Sequence, residues 1–249
     1  MASRSAGPSK RRAKKVNEPT SGTSAPPLRP GQPGGVRDTN RRERVAALSQ
    51  AAMQLFLARG IDATAIDDIT GAAGVAKGSY YRYFADKTAL VEHLFEPVRT
   101  EIVAAMEACS RALDEQTDRA KMVEAWRTLG EALVGTVFSH VGAVRLYLQE
   151  SRAPAAGART PLVSISDMIG RYAIELTRKA HRHGLLRADI HPAVSALAVV
   201  GAVERLLTAL FSGEEIGNPL DVPRALTSLV VDGLAASNQP STNPLLSSR

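Results

Sequence analysis

The stretch Thr64-Ala65-Ile66-Asp67-Asp68-Ile69-Thr70-Gly71-Ala72-Ala73-Gly74-Val75-Ala76-Lys77-Gly78-Ser79-Tyr80-Tyr81-Arg82-Tyr83-Phe84 decides the fold. Ile66, Ile69 and Ala73 recur at helical spacing and predict a short helix with one apolar stripe. Thr64 followed by Asp67 reads as a capping box, with Thr64 accepting from the third helical N–H and the acids Asp67 and Asp68 at the positive end of the helix. Gly74 supplies the positive φ that closes this helix, and Val75 returns to the core. A second helix is expected over Lys77–Tyr83, with Phe84 anchoring its end and Asp86 capping a further helix that begins Lys87-Thr88-Ala89-Leu90. Two short helices joined by a glycine turn form a helix-turn-helix. Gly71, inside the first of them, points to close packing there or to a soft element.

Upstream, Val45, Leu48, Ala52, Leu55 and Phe56 share a helical face, and Arg59-Gly60 closes that helix with a cation in the last turn and a glycine after it. Downstream lie longer helical patterns, broken at residues 114–118, 154–161, 183–184 and 212–223. No strand alternation is found between Arg41 and Leu234, so the fold class is all-α: a three-helix head and a larger helical domain. The expected organisation is a loose basic tail over 1–40, the head with its linking helix over 41–100, a larger domain over 101–235 and a second loose tail over 236–249.

The net charge of +6 is a property of the first tail. Residues 1–40 hold eight bases against two acids, and the remainder balances 23 against 23. Any anion-binding surface on the folded part must therefore come from the placement of its charges. Cys109, the single cysteine, excludes an intramolecular disulfide and fits the core of an apolar helix. Ser139 and His140 point in different directions on a helix, and His181 and His183 suit a helix C-terminus. The expectation is that the chain has no catalytic residues, no metal ligands and no cofactor. The apolar run from Ala193 stops at Glu204, short of the roughly 20 residues of a membrane span, so no membrane segment is expected and the cytoplasm is the expected location.

The spacing of residues 64–84, together with Asp86-Lys87 and Leu90, closely resembles the DNA-binding head of the TetR family of transcriptional regulators. Thr70 and Ala76 depart from the common pattern, which has Ala and Ser there. In such a motif the N-terminal part of the second helix faces base edges in the major groove, so the resemblance makes Lys77, Gly78, Ser79 and Tyr80 the base readers. It also implies that Thr64, Tyr81, Tyr83 and Lys87 contact phosphates, with Arg41, Arg42 and Arg44 clamping the neighbouring backbone. The implied partners are a double-stranded, palindromic DNA operator, a second copy of the chain as a homodimer, and a small apolar effector that releases a repressor.

Trp126, Leu129, Leu133 and Val137, followed by Phe138, Leu146 and Tyr147, form an apolar stripe expected either to line an effector pocket or to be filled core. Arg145, Gln149 or Glu150 would supply its polar contacts. The dimer interface is expected on Ile165, Ile169 and Tyr172 of one long helix, together with Leu162 and Leu176, and on Leu197 and Gly201 of the next, or else these stripes face the protomer's own core. The alternatives are an architectural or nucleoid-associated DNA binder without a ligand, and an enzyme. A bound molecule in an apolar cavity would separate the regulator from the architectural binder, and convergent titratable groups there would be needed for the enzyme.

Overall fold

A computed structural model describes residues 36–115, 118–187 and 189–234. The chain divides into Met1–Thr39, of which only 36–39 are described, and Asn40–Arg249, which carries everything that follows. The expected loose tails lie outside the described residues except for the last part of the first, where helix starts at Val36.

The helices are α1 (Val36–Arg59), α2 (Ile66–Ala72), α3 (Lys77–Tyr80), α4 (Lys87–Glu115), α5 (Arg119–Ser139), α6 (Val141–Glu150), α7 (Thr160–Arg182), α8 (Pro192–Phe211) and α9 (Val222–Leu234). Short 3-10 turns precede α7 and α9. No strand occurs among the described residues, so the all-α expectation holds. The breaks read from the sequence fall between these helices. The boundary expected at residue 100 does not, because α4 runs through it uninterrupted. Pro97 lies inside α4, where it has no N–H to offer the His93 carbonyl.

Two apolar clusters organise the molecule. The first joins Leu48, Phe56, Ile69 and Tyr80 of the head to Phe95 and Val98 of α4 and to Leu146, Leu162 and Ile165 of α6 and α7. The second gathers Met106, Cys109, Leu113, Met122, Leu176 and Leu186 at the far end of α4. Burial pushes the Cys109 thiol up to about 12, which keeps it protonated and unreactive. The α7 stripe expected at a dimer interface is turned inward: Leu162, Ile165 and Leu176 are buried and Ile169 and Tyr172 half-buried. Packing inside the protomer had the prior claim on that face.

The apolar run of α8 is interrupted at Glu204-Arg205, but the helix does not end there. It continues to Phe211, giving a twenty-residue helix that is long and apolar enough, by length and composition, to cross a membrane. Its inner face packs on α7, whereas Val194, Leu197, Ala198, Gly201 and Ala202 are exposed.

Candidate nucleic-acid interface and effector cavity

The head is built on local hydrogen bonds that the sequence placed one residue off. Ala65, not Thr64, occupies the N-cap of α2, and Asp68 accepts from the Ala65 N–H at 3.0 Å. Thr64 is fully buried and its hydroxyl donates backwards to the Gly60 carbonyl at 2.8 Å. A phosphate contact by this side chain is therefore not available in this conformation. Gly60 and Gly74 have φ of +86° and +63°, as their positions after α1 and α2 require. Gly71 has open space where a Cβ would stand, so close packing does not explain it.

The second helix of the motif is short. α3 ends at Tyr80, and residues 81–83 continue as tight turns in which the Tyr83 N–H donates to the Tyr80 carbonyl at 2.8 Å. Lys77 and Gly78 are exposed at its N-terminus, and nothing lies within 4 Å of where a Gly78 Cβ would be. Lys77 Nζ pairs with Asp67 at 2.7 Å, and this partner raises its pKa through a hydrogen bond and opposite charge.

Tyr80, expected at the base edges, is core: it is fully buried, packs on Phe84 and donates its hydroxyl to the Asp86 carbonyl at 2.9 Å. Adjacent tyrosines on a helix cannot both face inward, and Tyr81 is the exposed one at 51%. Tyr83 is half-buried. Ser79 is buried, only 8% exposed, its Oγ accepting from Arg82 at 2.7 Å. Arg82, an exposed cation beside α3, went unassigned in the sequence although it stands within the motif. Arg41, Arg42 and Arg44 are exposed along the start of α1.

Lys87 does something other than face solvent. Its Nζ donates to the carbonyls of Ile61 at 2.7 Å and Thr64 at 2.8 Å, closing the α1–α2 turn. Asp86 caps α4 as expected, accepting from the Ala89 N–H at 2.8 Å.

Behind the head, α4 to α9 line an apolar cavity of about 290 Å³. Trp126, Leu129, Leu133, Val137 and Tyr147 line it, as the sequence stripe suggested, and so do Ile165 and Ile169. Phe138 does not; it is 51% exposed on the far side of α5. The polar residues expected in the pocket are elsewhere. Arg145 is exposed, Gln149 donates to the Phe56 carbonyl at 3.2 Å, and Glu150 is buried against the α1–α2 turn. The cavity's charged lining residue is Glu204 of α8, which accepts from the Tyr147 hydroxyl at 2.9 Å. The only signal for it in the sequence was a lone acid interrupting the α8 apolar run.

Glu150 and Arg159 tie the cavity wall to the head. Glu150 Oε1 accepts from the Ile61 N–H at 3.3 Å, and Arg159 reaches both Glu150, at 3.8 Å, and Asp62. A Cβ on Gly60 would stand 3.1 Å from the same Glu150 oxygen. Sequence reading missed this cluster, since its members are about 90 residues apart and follow no local period. Among the described residues no group of acids, histidines or cysteines could hold a metal ion.

Residues 48–94 match the sequence model of a family described as bacterial regulatory proteins, tetR family. The HTH-type transcriptional regulator YvdT of Bacillus subtilis (strain 168) is 39% identical over 51 residues, which are 20% of this chain and 26% of that protein. The match thus spans about a quarter of the relative's length. Two solved structures share the described fold. The TetR-family regulator PfmR of Thermus thermophilus superposes with a TM-score of 0.54 at 22% identity, covering 74% of this chain and 97% of that one. The transcriptional regulator FadR of Bacillus subtilis, solved with stearoyl-CoA, gives 0.57 at 14% identity, covering 76% and 98%. Residues 48–94 thus carry the head described by the tetR family of bacterial regulatory proteins, and the helical body behind it has the fold seen in these solved regulators.

Proposed function

We propose that the chain is a sequence-specific DNA-binding transcriptional regulator of the cytoplasm, a homodimeric repressor released from a palindromic operator by a small apolar ligand. The observation that carries the DNA-binding part is the open N-terminus of α3, where Lys77 and Gly78 stand exposed with Tyr81 and Arg82 beside them. Lys77 exchanges Asp67 for a guanine edge, and Gly78 leaves room for the helix to approach the bases. Tyr81, Tyr83, Arg41, Arg42 and Arg44 supply phosphate contacts. Thr64, Tyr80 and Lys87 support this surface from beneath, holding the α1–α2 turn and the packing of α3.

One head offers few base contacts, and two must be set roughly 34–36 Å apart to read a palindrome. The exposed apolar face of α8, with Leu197 and Gly201 at its centre, supplies the dimer contact. The cavity favours the ligand-responsive reading over a purely architectural binder, which has no use for one. α6 lines the cavity through Val144 and Tyr147 and ends in Gln149-Glu150, both bonded to the end of α1 or the turn after it. A ligand that moves α6 therefore moves the head, provided it binds the displaced state more tightly. That FadR of Bacillus subtilis, with the same fold, was solved in complex with stearoyl-CoA supports an apolar ligand here. The test is an operator-release assay on a fragment selected by the purified protein, run against apolar small molecules with Trp126 fluorescence in parallel. Release with a matching fluorescence change supports the reading; fluorescence change without release would separate the cavity from DNA control.

A further inference from the structure

The cavity is almost wholly apolar, so its few polar atoms define what an occupant's polar end must be. Glu204 is the charged group among the described lining residues. Tyr147 donates its one proton to Glu204 Oε1 at 2.9 Å, and the Ser166 and Ser151 side chains hydrogen-bond the same phenol, which therefore has no proton left for a ligand. Burial pushes that hydroxyl up to about 12, so it stays protonated and keeps this role near neutral pH. Thr136 and Thr177, also in the wall, spend their hydroxyl protons on the Ala132 and Ala173 carbonyls, at 3.2 Å and 2.8 Å. Arg152 reaches the other Glu204 oxygen at 3.2 Å, but from outside: it is 75% exposed and does not line the cavity.

We infer that the cavity selects an apolar molecule whose polar end donates a hydrogen bond, a hydroxyl or an ammonium, to Glu204 beside the Tyr147 hydroxyl, and that this end of the cavity rejects an ionised carboxylate. The inference rests on the cavity being the effector site. A donor end completes the Glu204–Tyr147 pair, whereas a carboxylate seated there brings a second negative charge to Glu204 in apolar surroundings and meets no proton on either group; the other donors of the wall belong to Ser195, Thr227 and the Trp126 indole. A volume of about 290 Å³ lies at the lower end of small-molecule pockets and suits a medium-length chain.

The experiment uses the full chain and three ligands with the same ten-carbon tail: decan-1-ol, decylammonium and decanoate. Trp126, the single tryptophan, lines the cavity and reports binding without DNA. Near neutral pH the alcohol or the ammonium should bind at least about tenfold tighter than decanoate, and which of the two leads identifies the donor's charge. Ordinary desolvation also disfavours decanoate, so the decisive arm is Glu204→Gln, which keeps an acceptor and removes the charge. In that variant the preference over decanoate should shrink at least about fivefold, with Tyr147→Phe as a second, size-conserving probe of the pair. Decanoate binding as tightly as the other two, or a preference unchanged in Glu204→Gln, would overturn the inference while leaving the cavity as an effector site. If none of the three altered Trp126 fluorescence and none protected the protein thermally, the effector-site reading itself would fall, and the inference with it.

Discussion

Glu150, at the last turn of α6, accepts a hydrogen bond from the backbone N–H of Ile61 at 3.3 Å, across 89 residues of chain. One end of α6 thus faces the cavity and the other holds the turn that positions α2 and α3. Arg159 completes the joint by bridging Glu150 and Asp62.

Breaking this joint should uncouple head from body. Glu150→Ala leaves the buried Ile61 N–H without its acceptor and Arg159 with Asp62 alone, which should cost about 1–3 kcal/mol in denaturant unfolding. Glu150→Gln keeps the acceptor for Ile61 and should lose less. In both, operator release by a cavity ligand should weaken more than operator affinity does, as read by fluorescence anisotropy with and without ligand. Equal responses in variant and wild type would mean that the signal travels by another route.

Lys77 and Asp67 test the recognition surface. Lys77→Ala should weaken specific binding and relax preference at one base position, by about 1–3 kcal/mol at that base pair. Asp67→Asn removes the competitor for Lys77 and should raise affinity for unrelated DNA and steepen the salt slope by about one phosphate's worth. Because the pair is exposed, thermal stability should move little.

Lys87→Ala should lower stability by about 1–3 kcal/mol, since the Thr64 carbonyl loses its ammonium donor and the Ile61 carbonyl keeps only the Thr64 N–H at 3.3 Å. Its operator affinity should fall as the turn loosens, with the salt slope unchanged. A slope reduced by about one with unaltered unfolding would instead put Lys87 on a phosphate.

Local readings survived in the structure where the pattern itself carried the physics. The α1 stripe through Leu48, Ala52 and Phe56 is buried, Gly60 and Gly74 turn at positive φ, and Asp86 caps α4. What failed needed three dimensions. Tyr80 and Tyr81 are chemically alike neighbours, and only the packing of α3 on Phe84 decides which is core. The α7 stripe announced an apolar face but not its partner, which proved to be the protomer's own cavity and core. Gln149 and Glu150 looked like pocket residues because they follow Tyr147, yet the end of α6 carries them to the head.

The dimer prediction now rests on α8 alone. Gly201 is exposed and a Cβ there would meet nothing within 4 Å, so Gly201→Arg is compatible with the protomer fold. It should give monomers in sedimentation velocity with unfolding close to wild type, and a palindromic site should lose most of its affinity. A variant that remained dimeric would move the interface off this face.

Selection of bound fragments from genomic DNA by the purified full chain, beside Lys77→Ala, tests the central claim most directly. A sequence-specific regulator should enrich one palindromic motif with half-sites about one helical turn apart, and Lys77→Ala should lose preference at a symmetric pair of positions within it. Recovery of DNA without any shared motif, or the same motif enriched equally by both proteins, would contradict the assignment of α3 as the reader of an operator.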